Sequence, residues 1–214
     1  MSNITSEQLL LYAVTDRSWL NGRSLPEDVE KTLRGGATFV QLREKDSTFS
    51  GIREEALALK ALCARYQVPF VIDDDVALAN EVGADGVHVG QSDMACAKAR
   101  EALGPDAIIG VSAQTVAQAR AAEAAGADYL GVGAVFPTGS KDDAVEVSHE
   151  VVREICEAVS IPVVAIGGIS RDNVGSLSGL GLSGIAVISA LFAQEDLEAA
   201  AKDLRDRTKA MVEA

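Results

Sequence analysis

Eight times along the chain, a run able to form a buried strand is followed by a run able to form a helix, the last strand of the series leading into the closing helix. This repetition restricts the fold more than any single motif. Four fragments show it directly: GGATFV from Gly35, VGADGVHV from Val82, AGADYLGV from Ala125 and LGLSGIAV from Leu180 each place a helix-ending glycine just before an apolar strand. VPFVID from Val68 and IPVVAI from Ile161 form a second such pair. Strands are predicted at 9–15, 39–45, 70–74, 86–89, 107–112, 129–136, 163–166 and 185–188. Helices are predicted at 25–34, 48–66, 76–82, 94–103, 116–125, 149–159 and 196–211, with a weakly helical Gly/Ser-rich stretch at 172–181. Ser24 stands at an N-cap position before Pro26, Gly35-Gly36 ends that helix, and Thr115 caps the Ala-rich one. A (β/α)8 TIM barrel, one domain over residues 1–214, accounts for count, length and repetition together. The alternative is a doubly wound open sheet. It would show fewer strands and a Gly-rich turn after strand one, where this chain has Thr15-Asp16-Arg17.

Strand two breaks the pattern. Parallel strands covered on both faces read as near-continuous apolar runs, as 86–89 and 163–166 do. In FVQLREKD (39–46), alternation puts Gln41, Arg43 and Lys45 on one face and Val40, Leu42 and Glu44 on the other. An exposed strand with a wet face would explain this, but the surrounding strands are buried ones. Two cations and an amide inside such a sheet carry a large desolvation cost unless an anion meets them. The formal charge of −13 argues against nucleic acid and anionic membranes as partners, yet leaves room for a locally positive pocket. Cys63, Cys96 and Cys156 are odd in number and widely spaced, as reduced packing thiols of a cytoplasmic protein are. The apolar run near the N-terminus is short for a signal peptide and has no basic segment before it.

A barrel of this kind carries its active site at the C-terminal ends of its strands. Those ends deliver Arg43 and Lys45; Asp73, Asp74 and Asp75; Gln91 and Asp93; Ser112; Thr138, Ser140 and Lys141; Gly167-Gly168; and Ser189. Loops after strands seven and eight commonly bind phosphate in barrels, because glycines let backbone N–H groups approach its oxygens. Gly167-Gly168-Ile169 and Ile188-Ser189-Ala190 fit that role, with turn glycines and a capping serine as the bland reading. Asp74 and Asp93 end neighbouring strands. Two carboxylates sharing one space repel by roughly 4 kcal/mol at about 4 Å in a moderately polar medium. Mg²⁺ would relieve this, while a solvated acidic rim, with Asp93 capping the next helix, explains the pair equally well. Lys141 lies in a long turn-rich loop (137–147), where a functional lysine and a surface lysine beside Asp142 and Asp143 are both open readings. His88 reads as a packed histidine within strand four, and His149 as an exposed residue opening a helix. No Ser-His-Asp or Cys-His set is present to support acyl-enzyme chemistry.

Taken together, QLREK at 41–45, the aspartates of VIDDD and HVGQSD, GVSAQT at 110–115, VFPTGSK at 135–141, AIGGI at 165–169 and the AVIS run ending at Ser189 resemble the thiamine-phosphate synthase family over nearly the whole chain. That family joins an aminopyrimidine methyl diphosphate to a thiazole phosphate, releasing diphosphate. The resemblance implies two small-molecule substrates. Gln41, Leu42, Arg43, Glu44, Lys45, Asp73, Ser112 and Lys141 would hold the pyrimidine diphosphate. Thr138, Gly139, Ser140, Gly168, Ile188 and Ser189 would hold the thiazole phosphate, and Asp74 and Asp93 would carry Mg²⁺. It also implies a dissociative mechanism, with Arg43, Lys45 and Lys141 stabilising the departing diphosphate and no protein nucleophile. The family's usual Asn-Asp at the end of strand three is Asp73-Asp74 here, and an aspartate cannot donate the hydrogen bond an amide could. Ser140 replaces a more usual threonine and keeps the hydroxyl. A thiazole tautomerase-like barrel would carry a histidine after strand five, where Gln114 stands. A non-catalytic phosphate-binding barrel is the other alternative. A homo-oligomer is compatible with either.

Overall fold

In a computed structural model that describes residues 4–45, 50–90, 96–138 and 146–214, eight parallel strands close into a barrel in the order of the chain. The strands are β1 Leu11–Val14, β2 Phe39–Leu42, β3 Phe70–Asp73, β4 Gly86–Val89, β5 Ile108–Ala113, β6 Tyr129–Val132, β7 Val163–Ile166 and β8 Gly184–Val187. Helices α1 Leu25–Arg34, α2 Ile52–Tyr66, α3 Val76–Val82, α4 Cys96–Leu103, α5 Val116–Ala124, α6 His149–Ala158, α7 Ser189–Phe192 and α8 Leu197–Val212 connect and follow them. β8 pairs with β1 through Leu11↔Ile185 and Ala13↔Val187, which removes both sheet edges and excludes the open doubly wound sheet.

The helix ends follow their local chemistry. Ser24 and Glu27 form a capping box at the start of α1, and Gly36 beyond its end takes φ +102°, a conformation an L side chain resists. Thr115 accepts from the Gln118 N–H at 3.2 Å as the cap of α5. Between β7 and β8 only a 3₁₀ turn forms, Val174–Leu177, where the sequence is rich in glycine and serine.

Several strands are shorter than their apolar runs. β2 ends at Leu42 because the Arg43 N–H turns to the Thr15 hydroxyl at 3.0 Å, leaving the ladder. β6 ends at Val132, not at residue 136; beyond it the Val135 and Phe136 N–H groups donate to the Ile166 and Gly167 carbonyls at 3.0 and 3.1 Å, outside the ladder. β1 begins at Leu11, after a 3₁₀ turn at Glu7–Leu9.

Strand alternation divides the core into two layers. Leu11, Ala13, Val40, Leu42, Val87 and Val89 face outward and pack under the helices. Tyr12, Val14, Phe39, Val71, Tyr129, Val164 and Ala186 face inward and fill the barrel. The rings of Tyr12, Phe39 and Tyr129 pack edge to face, with centroids 4.5–5.9 Å apart. Room for them comes from Gly110 on β5, where a Cβ would lie 2.2 Å from Tyr129 Cζ and 2.5 Å from His88 Nδ1. Gly110→Ala is expected to force that layer apart and to destabilise the fold by about 1–3 kcal/mol, read as a lower urea midpoint.

Candidate active site

Above the aromatic layer, the barrel opens into a cavity of about 430 Å³ at the C-terminal ends of the strands. Gln41 and Arg43 from β2 and the turn after it, Asp73 and Asp74 at the end of β3, His88 from β4, Ser112 from β5, Thr138 after β6, Gly168 after β7, and Ile188 and Ser189 after β8 all line it. A wider cleft above shares Arg43, Thr138, Gly168 and Ser189 and adds Glu44 and Lys45. The alternation expected of strand two holds as far as it can be followed. Gln41 is buried and inward, while the Leu42 side chain packs in the outer layer. Leu42 can therefore meet a ligand in the cavity only through its backbone. Gly139, Ser140, Lys141 and Asp93 lie outside the described residues.

The charge at this rim is partly balanced by the protein itself. Asp73 Oδ2 stands 3.5 Å from Arg43 Nε, so strand three supplies an anion for the half-buried guanidinium of strand two. Pairing across the β2–β3 ladder, with Leu42 opposite Ile72, makes these two the next residues along their strands. Asp73 is thus turned toward the cation set and not away from it. Glu44 points elsewhere: its carboxylate accepts from Arg17 Nε at 2.8 Å, and Arg17 also reaches Glu55 at 2.5 Å. Burial raises the Glu55 carboxyl pKa, opposed by the neighbouring Arg17 cation. Arg17 and Trp19, in the 3₁₀ turn Arg17–Trp19 after β1, line the upper cleft. Sequence reasoning passed over them because no motif marks that turn.

Asp74 has φ +56°, in the left-handed region that non-glycine residues seldom occupy. Two contacts to β4 hold it there: its N–H donates to the His88 carbonyl at 2.8 Å, and its Oδ1 accepts from the Gly90 N–H at 3.1 Å. Asp75 has a different task, capping α3 through the Leu78 N–H at 2.8 Å. On the opposite side, Gly168 takes φ +65°, and a Cβ there would meet the Pro137 carbonyl at 2.5 Å. Asn173 Nδ2 fixes the Gly168 carbonyl at 2.9 Å. This close packing of the loops after β6 and β7 brings Thr138 beside Gly168.

Of the two histidines, one keeps to expectation and the other departs from it. His88 is packed, as its sequence suggests, but it packs into the cavity wall, bonding Tyr129 Oη through Nδ1 and Ser112 Oγ through Nε2, both at 3.0 Å. Its inward register in β4 agrees with the alternation that sets it opposite Val87 and Val89. Ser112 lies within β5, one residue short of the strand end. His149 is half-buried, not exposed, because Phe136 packs against its ring edge at 5.3 Å. Gln114, which lines the cavity, donates through Nε2 to the Gly133 carbonyl at 3.3 Å.

One cavity thus brings Arg43 and its partner Asp73 together with Thr138, Gly168 and Ser189. A family model described as thiamine monophosphate synthase matches residues 11–191. The chain belongs to the thiamine monophosphate synthase family. Thiamine-phosphate synthase from Clostridium beijerinckii is 46% identical over 196 residues, covering 92% of this chain and 94% of that one. Thiamine-phosphate synthase from Clostridium novyi is 47% identical over 195 residues, with 91% and 96% covered. Among solved structures, thiamine phosphate pyrophosphorylase from Pyrococcus furiosus superposes with a TM-score of 0.88 at 41% identity, covering 97% of this chain and 98% of that one. The protein is accordingly a thiamine-phosphate synthase, a transferase that makes thiamine phosphate, and the tautomerase and non-catalytic readings lose their support.

The Arg43–Asp73 contact carries a consequence for anion binding. Removing one negative charge beside a half-buried guanidinium changes the affinity for an anion by about 1 kcal/mol after screening. Asp73→Asn is expected to tighten binding of inorganic diphosphate, measured calorimetrically without divalent metal, by about fivefold. Weaker binding by the variant would assign Asp73 a direct role in holding the ligand.

Proposed function

We propose that the aminopyrimidine methyl diphosphate lies with its ring in the deep cavity and its diphosphate toward Arg43 and Lys45, and that the thiazole phosphate sits across the mouth over Thr138, Gly168 and Ser189. The observation that carries this reading is a single cavity lined by Gln41, Arg43, Asp73 and Ser112 of the first set and Thr138, Gly168, Ile188 and Ser189 of the second. Lys141, Gly139 and Ser140, three of the loop residues after Thr138, would complete the two sites from outside the described region. Leu42 and Ile188 would contribute backbone and packing, and Glu44 would hold Arg17 at the rim.

Mg²⁺ suits the donors here. A hard cation takes carboxylate oxygens and substrate phosphates, and Asp74 presents its carboxylate at the cavity wall with the backbone pinned on both sides. Asp74 and Asp93, three residues beyond Gly90, would hold the ion, which when bound supplies charge neutralisation for the diphosphate.

The residues then have distinct tasks. As the bond from the pyrimidine methylene carbon to the diphosphate oxygen breaks, its electron pair leaves with the diphosphate, and Arg43, Lys45 and Lys141 accept the growing charge. The ring nitrogen of the thiazole supplies the pair for the new C–N bond. Neither event needs a protein nucleophile or a base at the reacting carbon. The protein contributes orientation and a fixed electrostatic field. The thiols of Cys63 and the half-buried Cys156 stay out of the reaction: desolvation pushes Cys63 up to about 12 and Cys156 up to about 11, so both remain protonated. Three unpaired cysteines of this kind suit a reducing cytoplasm. Among the described residues, no helix is long and apolar enough to cross a membrane.

Purified protein given both substrates and Mg²⁺ should release one diphosphate for each thiamine phosphate formed. EDTA should abolish turnover and added Mg²⁺ should restore it. Full turnover in chelator would remove Asp74 and Asp93 from the reaction. Arg43→Ala should lower kcat/KM for the pyrimidine substrate at least a hundredfold, by loss of a charge-assisted contact worth about 3 kcal/mol. An unchanged kcat/KM with a lowered melting temperature would make Arg43 structural instead.

A further inference from the structure

Beyond Leu42 the chain has left the sheet, yet it still brings Arg43 and Lys45 to the barrel mouth. Its support comes from the segment after β1. The Thr15 N–H donates to the Gln41 carbonyl at 3.0 Å, and the Thr15 hydroxyl accepts from the Arg43 N–H at 3.0 Å. Two residues on, Arg17 donates through Nε to Glu44 Oε2 at 2.8 Å and through Nη2 to Glu55 Oε2. Glu55 stands in the first turn of α2. One guanidinium therefore joins the turn after β1, the chain leaving β2 and the start of α2.

Both carboxylates are largely withdrawn from water, with side chains 12% and 11% exposed against 31% for Arg17. Two such anions repel when drawn together, and a planar guanidinium, with its donors in a fixed fork, can answer both at once. A lysine would bring the charge without the fork. Glu44 lies between Arg43 and Lys45 in the chain. Turning the backbone on either side of it would draw its side chain out of the ion pair, so a held Glu44 restrains both cations. Glu55 lines neither the deep cavity nor the cleft above it. Its contact with the site runs through Arg17.

We propose that Arg17 and Glu55 are positioning residues for the diphosphate side of the reaction: together they clamp Glu44, and so hold the backbone of residues 43–45 with Arg43 and Lys45 directed at the barrel mouth. The sign of the effect sets a clamp apart from a field. As bare charges, Glu44 and Glu55 repel an anionic ligand, and removing either would tighten its binding. As parts of a clamp they favour that binding, and removing Glu55 weakens it although a negative charge has gone. This deepens the substrate reading above and rests on it for the place of the diphosphate, but the hold on residues 43–45 is a property of the ligand-free protein.

Limited trypsin digestion of the ligand-free full chain tests the hold. Cleavage after Arg43 and Lys45 should be about fivefold faster in Glu55→Leu than in the parent, the effect of losing one partly buried ion pair, with other sites unchanged. An equal rate, or a rise at every site, overturns the clamp. Calorimetric titration with inorganic diphosphate, without divalent metal, tests its purpose. Glu55→Leu should bind about fivefold more weakly. Arg17→Ala should also bind more weakly, and the double variant no worse than Arg17→Ala alone, since both substitutions open one clamp. Losses that add would make the two residues independent and overturn the proposal. Should Glu55→Leu not fold, Glu55→Gln, which keeps the shape and loses the charge, goes through the same measurements. Arg43→Ala in the same titration separates the two readings. If Arg43→Ala weakens binding while Glu55→Leu leaves it unchanged or tightens it, the place of the diphosphate stands and the clamp falls. If Arg43→Ala leaves binding unchanged, that place is rejected, and the cleavage rate alone decides the clamp.

Discussion

The meeting of Tyr12 and Tyr129 hydroxyls, 2.9 Å apart inside the barrel, is the constraint on which the rest of the site depends. A closed barrel of short strands has to fill its own interior, and here two phenol rings and Phe39 do so beside Val14, Val71 and Val164. Rings of that size carry oxygen atoms into an apolar space, where an unbonded hydroxyl would cost about 1–3 kcal/mol. The cost is met by pairing the hydroxyls with each other and then with Gln41 and His88. What begins as a packing problem therefore ends as a polar floor under the ligand cavity. Gly110 is part of the same solution, since only the absence of a side chain on β5 admits Tyr129 and His88 together.

Above that floor, the site is organised by charge. A guanidinium in the mouth of a closed sheet has limited access to water, and Asp73 stands near enough to Arg43 to offset part of its desolvation. The pair keeps the cation soluble within the fold while leaving it addressable by a ligand more highly charged than one carboxylate. Arg17 serves the outer rim in a similar way, gathering Glu44 and Glu55 so that the acidic surface does not extend unchecked into the cleft. The overall charge of −13 does not keep cations from the barrel mouth, where Arg17, Arg43 and Lys45 stand among Asp16, Glu44 and Asp73.

Catalysis of this type asks for little covalent chemistry. In the proposed reaction, separating diphosphate from a methylene carbon would require that negative charge be received where it appears, by groups that do not have to reorganise. Two of the residues proposed for the site are anchored: Asp74 by bonds to both the His88 carbonyl and the Gly90 N–H, and Gly168 by Asn173 and by contact with the loop after β6. A left-handed Asp74 is tolerated because the neighbouring strand holds it from both sides.

The chain order of strands and helices, the closing of a barrel and the rim residues Arg43, Lys45, Asp74, Thr138, Gly168 and Ser189 were all legible in the sequence. Each follows from local rules: apolar runs that need cover on both faces, glycines at helix ends, and polar residues that can only stand at strand ends. Strand ends were overextended at Arg43 and again beyond Val132, because nothing in the sequence marks where the Arg43 N–H turns to Thr15 or the Val135 N–H to the Ile166 carbonyl outside the ladder. Tyr12, Tyr129 and His88 looked like ordinary strand residues, as nothing in one strand's sequence says which hydroxyl it will meet from across a barrel. That the strand-two cation has a carboxylate beside it was also decided in three dimensions, by the β2–β3 register that sets Arg43 against Asp73. Sequence determines which faces point inward; closure of the barrel determines what each inward face encounters, because contacts across the interior join residues far apart in the chain.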